Sequence, residues 1–144
     1  MPVHNFVAPR AAYVHRFQVQ PEEIDELGHA NNVVWVRWLN QAAIAHASHV
    51  GWGMEACRAA GVIWVVRRHD IEYLLPAFAG EEVTALTWPE TLRAATSARR
   101  TLFRRGDRLL ASAETTWVLL EQASGRPRRV PPEMLASYGF SGAR

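Results

Sequence analysis

The sequence predicts an α+β domain in which one curved antiparallel sheet wraps around a single long helix. Three observations carry that expectation. The run from Val33 to Val50 contains one charged residue and is apolar on almost every side. Five other segments have strand composition and are bounded by Pro and Gly. At 144 residues, 49% hydrophobic and 21% charged, the chain is long enough for one buried core and too short for two.

The alternating residues 11–20, rich in Tyr, Val and Phe, read as the first strand, ended by Pro21. Glu22 to Asn32 form a loop, with Asn31 or Asn32 placed to cap the next helix. The helix Val33 to Val50 does not confine its apolar positions to one stripe, so it should be enclosed on most sides. Arg37, Asn40, Gln41, His46 and His49 would be costly in a bilayer, which makes it a core helix and not a membrane span. Gly51-Trp52-Gly53 stops it, and Met54 to Ala60 add a short helix before Gly61.

Four more strands come after it: Val62 to Leu75, ended by Pro76; Glu82 to Leu92, with Pro89 near its end or at a bulge; Thr96 to Arg105; and Leu109 to Glu121. Gly106-Asp107 is a two-residue hairpin signal, so the last two strands should pair antiparallel. Ser124-Gly125-Arg126-Pro127 is a turn, and Pro132 to Tyr138 form a closing helix with Pro in its first turn. One sheet cannot cover its own inner face, but by curling around the helix it buries both. Such a sheet leaves an exposed edge strand. That predicts a homodimer paired edge to edge or helix to helix, with a homotetramer as a further level.

The formal charge is only +2, although all 16 basic residues are Arg. With no large positive field and no basic stripe interleaved with aromatics, nucleic acid is not an expected partner. A small phosphate-bearing ligand is, because the Arg fork matches phosphate oxygens. Arg99 and Arg100 on one strand, with Arg128 in the tail, would suit such phosphates if the fold brings them together; the alternative is a solvated strand face. The single cysteine, Cys57, excludes an internal disulfide and suits a reducing cytoplasm. Met1 to Pro9 lack the basic start and apolar run of a signal peptide. His46 and His49 stand three apart with no carboxylate at matching spacing, so they read as core or interface histidines and no metal is expected. No Gly-x-Ser-x-Gly elbow is present, which disfavours a serine hydrolase.

Most of the chemistry lies in Asp25-Glu26-Leu27-Gly28-His29-Ala30-Asn31-Asn32. One carboxylate, one imidazole and a Gly turn there meet the free N–H groups of a helix N-terminus, a corner suited to attack on an acyl carbonyl. Asp25 either attacks directly or takes a proton from water; its alternative role is to cap the turn into Gly28. His29 either hydrogen-bonds the carbonyl or fixes the loop backbone. A free N–H at the helix start would suit an oxygen that gains charge, while the side chains of Asn31 and Asn32 serve as caps. Gly28 supplies a backbone angle other residues adopt poorly. Trp35, Trp38, Trp64, Trp88 and Trp117 are mostly core, with one or two walling an acyl tunnel between protomers.

Asp25-x-x-Gly28-His29-x-Asn31-Asn32, with Trp35, Trp38 and Leu39 behind it, then Ile71-Glu72-Tyr73 with Pro76, and Gly125-Arg126-Pro127, resembles the hotdog acyl-CoA thioesterases of the 4-hydroxybenzoyl-CoA thioesterase type. A more distant likeness links it to plant acyl-carrier-protein thioesterases. The resemblance spans nearly the whole chain, and its first motif is the specific one. It implies the hotdog fold and hydrolysis of acyl-CoA without a metal or redox cofactor, coenzyme A entering as part of the substrate. Asp25 would be nucleophile or base, the Asn32 N–H would receive the thioester oxygen, and His29 would assist. Gly28, Asn31, Arg99, Arg100 and Arg128 would contact substrate. In the plant relatives an Asp, an Asn and a His spaced two apart share the work; Asp25 and His29 match, and Leu27 stands where the Asn would be. Two other functions are open to the fold: hydration of an enoyl thioester, and binding of an acyl thioester without cleavage, which Leu27 favours. The acyl group is not set by the sequence.

Overall fold

Pro and Gly set most of the element boundaries. β1 (Tyr13–Gln18), β2 (Val62–Tyr73), β3 (Glu82–Arg93), β4 (Thr96–Arg105) and β5 (Arg108–Glu121) form one antiparallel sheet in the order β1-β3-β4-β5-β2. Three helices complete the chain: α1 (Val34–His49), α2 (Met54–Ala59) and α3 (Pro132–Ser137). The computed structural model describes residues 8, 9 and 11–141, so the expectation for Met1 to Pro9 lies almost wholly outside the described residues. Gly106-Asp107 joins β4 to β5 with Arg105 facing Arg108, and Gly106 takes a φ of 60° that suits this turn. Pro89 has no N–H to give the ladder, and the β3–β4 register slips between Pro89 and Thr91.

The 16 residues of α1 bury Val34, Trp35, Trp38, Leu39, Ala42, Ala43 and His46. That helical spacing makes one face, which packs with Val19, Val83, Ala85, Phe103 and Leu110 against the sheet. Trp38 and Phe103 are 1% and 0% exposed; truncating either to Ala should cost about 3–5 kcal/mol. The expectation that the helix is enclosed on most sides is corrected: Arg37, Gln41, Ile44 and Ser48 form an exposed stripe. The run reads as apolar all round because Ile44 lies on that stripe between Gln41 and Ser48, 47% exposed. A second cluster joins α2 and α3 to the far end of the sheet through Cys57, Val62, Leu92, Leu119, Val130 and Met134. Among the described residues no helix is long and apolar enough to cross a membrane.

The entry to α1 also differs from the expected cap. The side chain of Asn31 accepts the Val33 N–H at 3.0 Å and its carbonyl accepts the Val34 N–H at 2.9 Å, so Asn31 closes the turn ahead of the helix. The cap position itself is Val33, which has no side-chain acceptor. Asn32 is not the cap; its carbonyl is engaged by the end of β2 instead.

Candidate active site

Residues 24–30 form a tight excursion pinned at its neck. Ile24 and Ala30 bridge as antiparallel partners, Asn31 N–H donates to the Glu23 carbonyl at 3.0 Å, and Ala30 N–H donates to the Ala77 carbonyl at 2.7 Å. Glu23 anchors the same neck to the core, because one carboxylate oxygen accepts the indole N–H of buried Trp38 at 3.0 Å. Within the loop, Asp25 N–H donates to the His29 carbonyl and Gly28 N–H to the Asp25 carbonyl, both at 3.0 Å. Gly28 has a φ of +88°, the left-handed region that a Cβ disfavours.

The Asp25 carboxylate bends back on its own turn: Oδ1 accepts the Leu27 N–H at 2.9 Å. That bond fixes the side-chain orientation and still leaves Oδ2 for chemistry. Asp25, His29 and Asn32 line one cavity of about 390 Å³, together with Leu27, Trp35 and Tyr73. The His29 ring meets Phe78 edge-on at 6.4 Å, which restricts its orientation. Among the described residues the Asn32 N–H has no backbone acceptor, so a donor stands free at the start of α1. A carboxylate, an imidazole and an unpaired amide on one concave surface are the parts needed to attack a carbonyl and hold the charge that develops on its oxygen.

Tyr73, which the sequence singled out only within a strand motif, belongs to this site. It ends β2, and its hydroxyl donates to the Asn32 carbonyl at 2.9 Å. Burial pushes its phenol pKa up, so it remains a donor throughout the neutral range. Leu75 and Pro76 complete the wall that begins with Trp35. A strand end carrying Tyr and then Leu-Leu-Pro was the available signal, but only folding brings it against the motif.

The arginines expected on phosphate do not gather. Arg99 is 6% exposed and bonds His46 and Thr87 at the opposite end of α1 from Asp25, so neither a surface phosphate nor a solvated face describes it. Strand alternation is the reason: Ser97, Arg99 and Thr101 face inward, and Arg100 faces the other way, pairing with Glu114 at 3.7 Å. Arg128 is exposed and donates to the Ala60 carbonyl. His46 is a core histidine, stacked on Tyr13 at 5.0 Å, while His49 is exposed. Among the described residues no three His, Cys, Asp or Glu side chains gather as a metal site.

This sheet, wrapped on one long helix with the loop at the helix start, has the arrangement of the hotdog fold. The chain belongs to the thioesterase-like superfamily, whose family model matches residues 19–137. Solved structures share the fold at low identity. A 1,4-dihydroxy-2-naphthoyl-CoA thioesterase from Synechocystis superposes with a TM-score of 0.81 at 15% identity, over 88% of this chain and 95% of that one. A DHNA-CoA thioesterase from Staphylococcus aureus gives 0.82 at 18%, over 88% of each. A hypothetical protein from Staphylococcus aureus, solved in complex with CoA, gives 0.81 at 14%, over 91% of this chain and 82% of that one. No curated protein sequence matches the chain.

Proposed function

We propose that the chain is an acyl-CoA thioesterase, hydrolysing a thioester to a free acid and coenzyme A at the loop cavity. One observation carries this: Asp25, His29 and Asn32 converge on the same cavity of about 390 Å³ at the start of α1. Two routes use Asp25. In the first, Oδ2 attacks the carbonyl carbon, the new C–O bond pushes an electron pair onto the thioester oxygen, and collapse breaks the C–S bond to release the thiolate; water then hydrolyses the anhydride. In the second, the carboxylate takes a proton from water, whose oxygen attacks, and the same collapse ensues.

Both routes put negative charge on the thioester oxygen, where the Asn32 N–H is the donor; such a donor is worth about 10²–10³ in rate. His29 assists by hydrogen-bonding that oxygen or the water, and Gly28 and Asn31 hold the loop. Neither route calls for a metal or redox cofactor. Superfamily membership and neighbours named as CoA thioesterases support the reaction. The neighbour in complex with CoA supports coenzyme A as carrier, with the exposed Arg128 as the phosphate contact. We assign the protein to the cytoplasm and expect it to work as a homodimer, with a homotetramer as a further level.

The test is thiol release from short, long and aromatic acyl-CoAs. At least one should turn over, and Asp25→Asn and Asp25→Ala should fold normally by circular dichroism yet lose on the order of 10²–10⁴ in rate. Wild-type turnover in either variant ends this reading. With crotonyl-CoA, loss of enoyl absorbance without thiol release would make the enzyme a hydratase.

A further inference from the structure

At the other end of α1 lies a second cavity of about 250 Å³, walled by apolar side chains that include Ala43, Trp52, Val62, Trp64 and Leu92. Two polar groups in its wall lack what they need. Arg99 lines the cavity while 6% exposed. Its Nη1 donates to His46 Nδ1 and to Thr87 Oγ1, each at 3.0 Å, and its guanidinium carbon lies 5.9 Å from the centre of the Tyr138 ring. These partners are all neutral. Burial, Arg99 and His49 together lower the His46 pKa to about 4, so His46 accepts and brings no charge. Among the described residues no carboxylate lies within ion-pair distance of Arg99. The second group is Trp117, opposite Ser97 in the β4–β5 ladder, whose buried indole Nε1 has no hydrogen-bond partner.

Buried charges in proteins are ordinarily paired, and buried donors ordinarily bonded, because stripping water from either without compensation is costly. Here a cation without a counter-ion and a donor without an acceptor share one apolar cavity. A single group answers both: an anion with two acceptor atoms. One guanidinium neutralises one negative charge, which fits a carboxylate better than a phosphate dianion.

We propose that this cavity binds an amphipathic carboxylate, with the apolar body among Trp52, Trp64 and Leu92 and the carboxylate on Arg99 and Trp117. A dry cavity of about 150 Å³ holds benzene, so this one holds a body of roughly eight to ten carbons. Such acids belong to the product class of the reaction proposed above; only that link rests on the thioesterase reading, and the binding itself does not.

The test uses octanoate and 1-octanol with the whole chain, read by tryptophan fluorescence and calorimetry. Octanoate should bind at least tenfold more tightly than octanol. Arg99→Met should reduce octanoate to the level of octanol, and Trp117→Phe should weaken octanoate several-fold while leaving octanol unchanged. Asp25→Asn should bind octanoate as wild type does, whether or not thioester hydrolysis survives. Equal affinity for acid and alcohol would overturn the proposal, as would absence of octanoate binding at millimolar concentration. Loss of octanoate binding in Asp25→Asn would also overturn it, by moving the acid to the loop cavity. Because the wild-type comparison of acid with alcohol needs no substitution, a misfolded Arg99→Met leaves the proposal decidable.

Discussion

The hydroxyl of Tyr73 donates a 2.9 Å hydrogen bond to the carbonyl of Asn32, tying the end of an edge strand to the residue whose N–H stands free at the start of α1. The two peptide groups flanking Asn32 therefore have different duties: the carbonyl is held, and the amide is available. Tyr73→Phe removes the hold and keeps the ring against Trp35, which it meets edge-on at 6.0 Å. The expected stability cost is small, about 0.5–1.5 kcal/mol. The expected kinetic effect is a fall of roughly tenfold in kcat with KM little changed, since in the proposed reaction the bond positions a donor used only as charge develops. Steady-state kinetics with urea denaturation separates the two, and a change confined to KM would remove Tyr73 from the positioning role.

Gly28 offers a second test of loop geometry. Its φ is +88°, and a Cβ built there would meet nothing within 4 Å. Strain alone opposes a side chain, so Gly28→Ala should cost about 1–2 kcal/mol, while Gly28→Asn should cost less because Asn tolerates the left-handed region. Activity should keep the same order, as the turn sets the approach of Asp25 and His29. If Gly28→Ala matches Gly28→Asn in both melting temperature and turnover, backbone strain is not what Gly28 relieves.

The buried histidine gives a pH dependence with a definite sign. His46 has a folded pKa of about 4, lowered by burial, by Arg99 and by His49, against an ordinary 6.5. Tyr13 stacks on one side of it and Tyr138 meets it edge-on, and burial pushes the Tyr138 phenol pKa up. Between pH 6.5 and 4 the unfolded chain takes up a proton that the folded chain refuses, so stability is intact above 6.5 and falls with pH through that window. At about 1.4 kcal/mol per unit the loss reaches roughly 3 kcal/mol near pH 4. His15 and His69 are shifted the same way by burial, so the measurement is a difference. Unfolding curves at pH 7.5 and 5 should show His46→Gln losing less stability than wild type on acidification; equal losses would remove His46 as the source.

How far the sequence discloses this molecule depends on the span of each interaction. The Gly106-Asp107 hairpin and the bulge at Pro89 act on adjacent residues, and both are readable in order along the chain. Asp25, His29 and Asn32 are equally readable, because one short loop carries them all. Tyr73 reaches Asn32 across 41 positions, and Arg99 reaches His46 across 53, and nothing local announces either contact. Arg99 was hidden by its neighbours: read as part of an Arg pair it looks solvated, whereas strand alternation places it with Ser97 and Thr101 on the inner face. The stripe on α1 was hidden by Ile44, an apolar side chain that stands 47% exposed on it.

The last prediction concerns the sheet edge. β5 fills one side of β2, and among the described residues no strand occupies the other. The strand runs for 12 residues, with Ile63 43% and Tyr73 47% exposed, and Ile44 on the nearby helix is 47% exposed. A long edge with unpaired N–H and C=O groups templates pairing with another strand unless something covers it, and a second copy of the same chain is the simplest cover. Size-exclusion chromatography with light scattering should therefore give at least twice the 16.2 kDa of one chain. Ile63→Glu, which adds a charge to the edge without touching Asp25, should shift the population towards monomer. Since Tyr73 ends the same strand and holds Asn32, turnover should fall together with dimer content as the protein is diluted. A fully active species of 16.2 kDa would show instead that the loop cavity works without a partner.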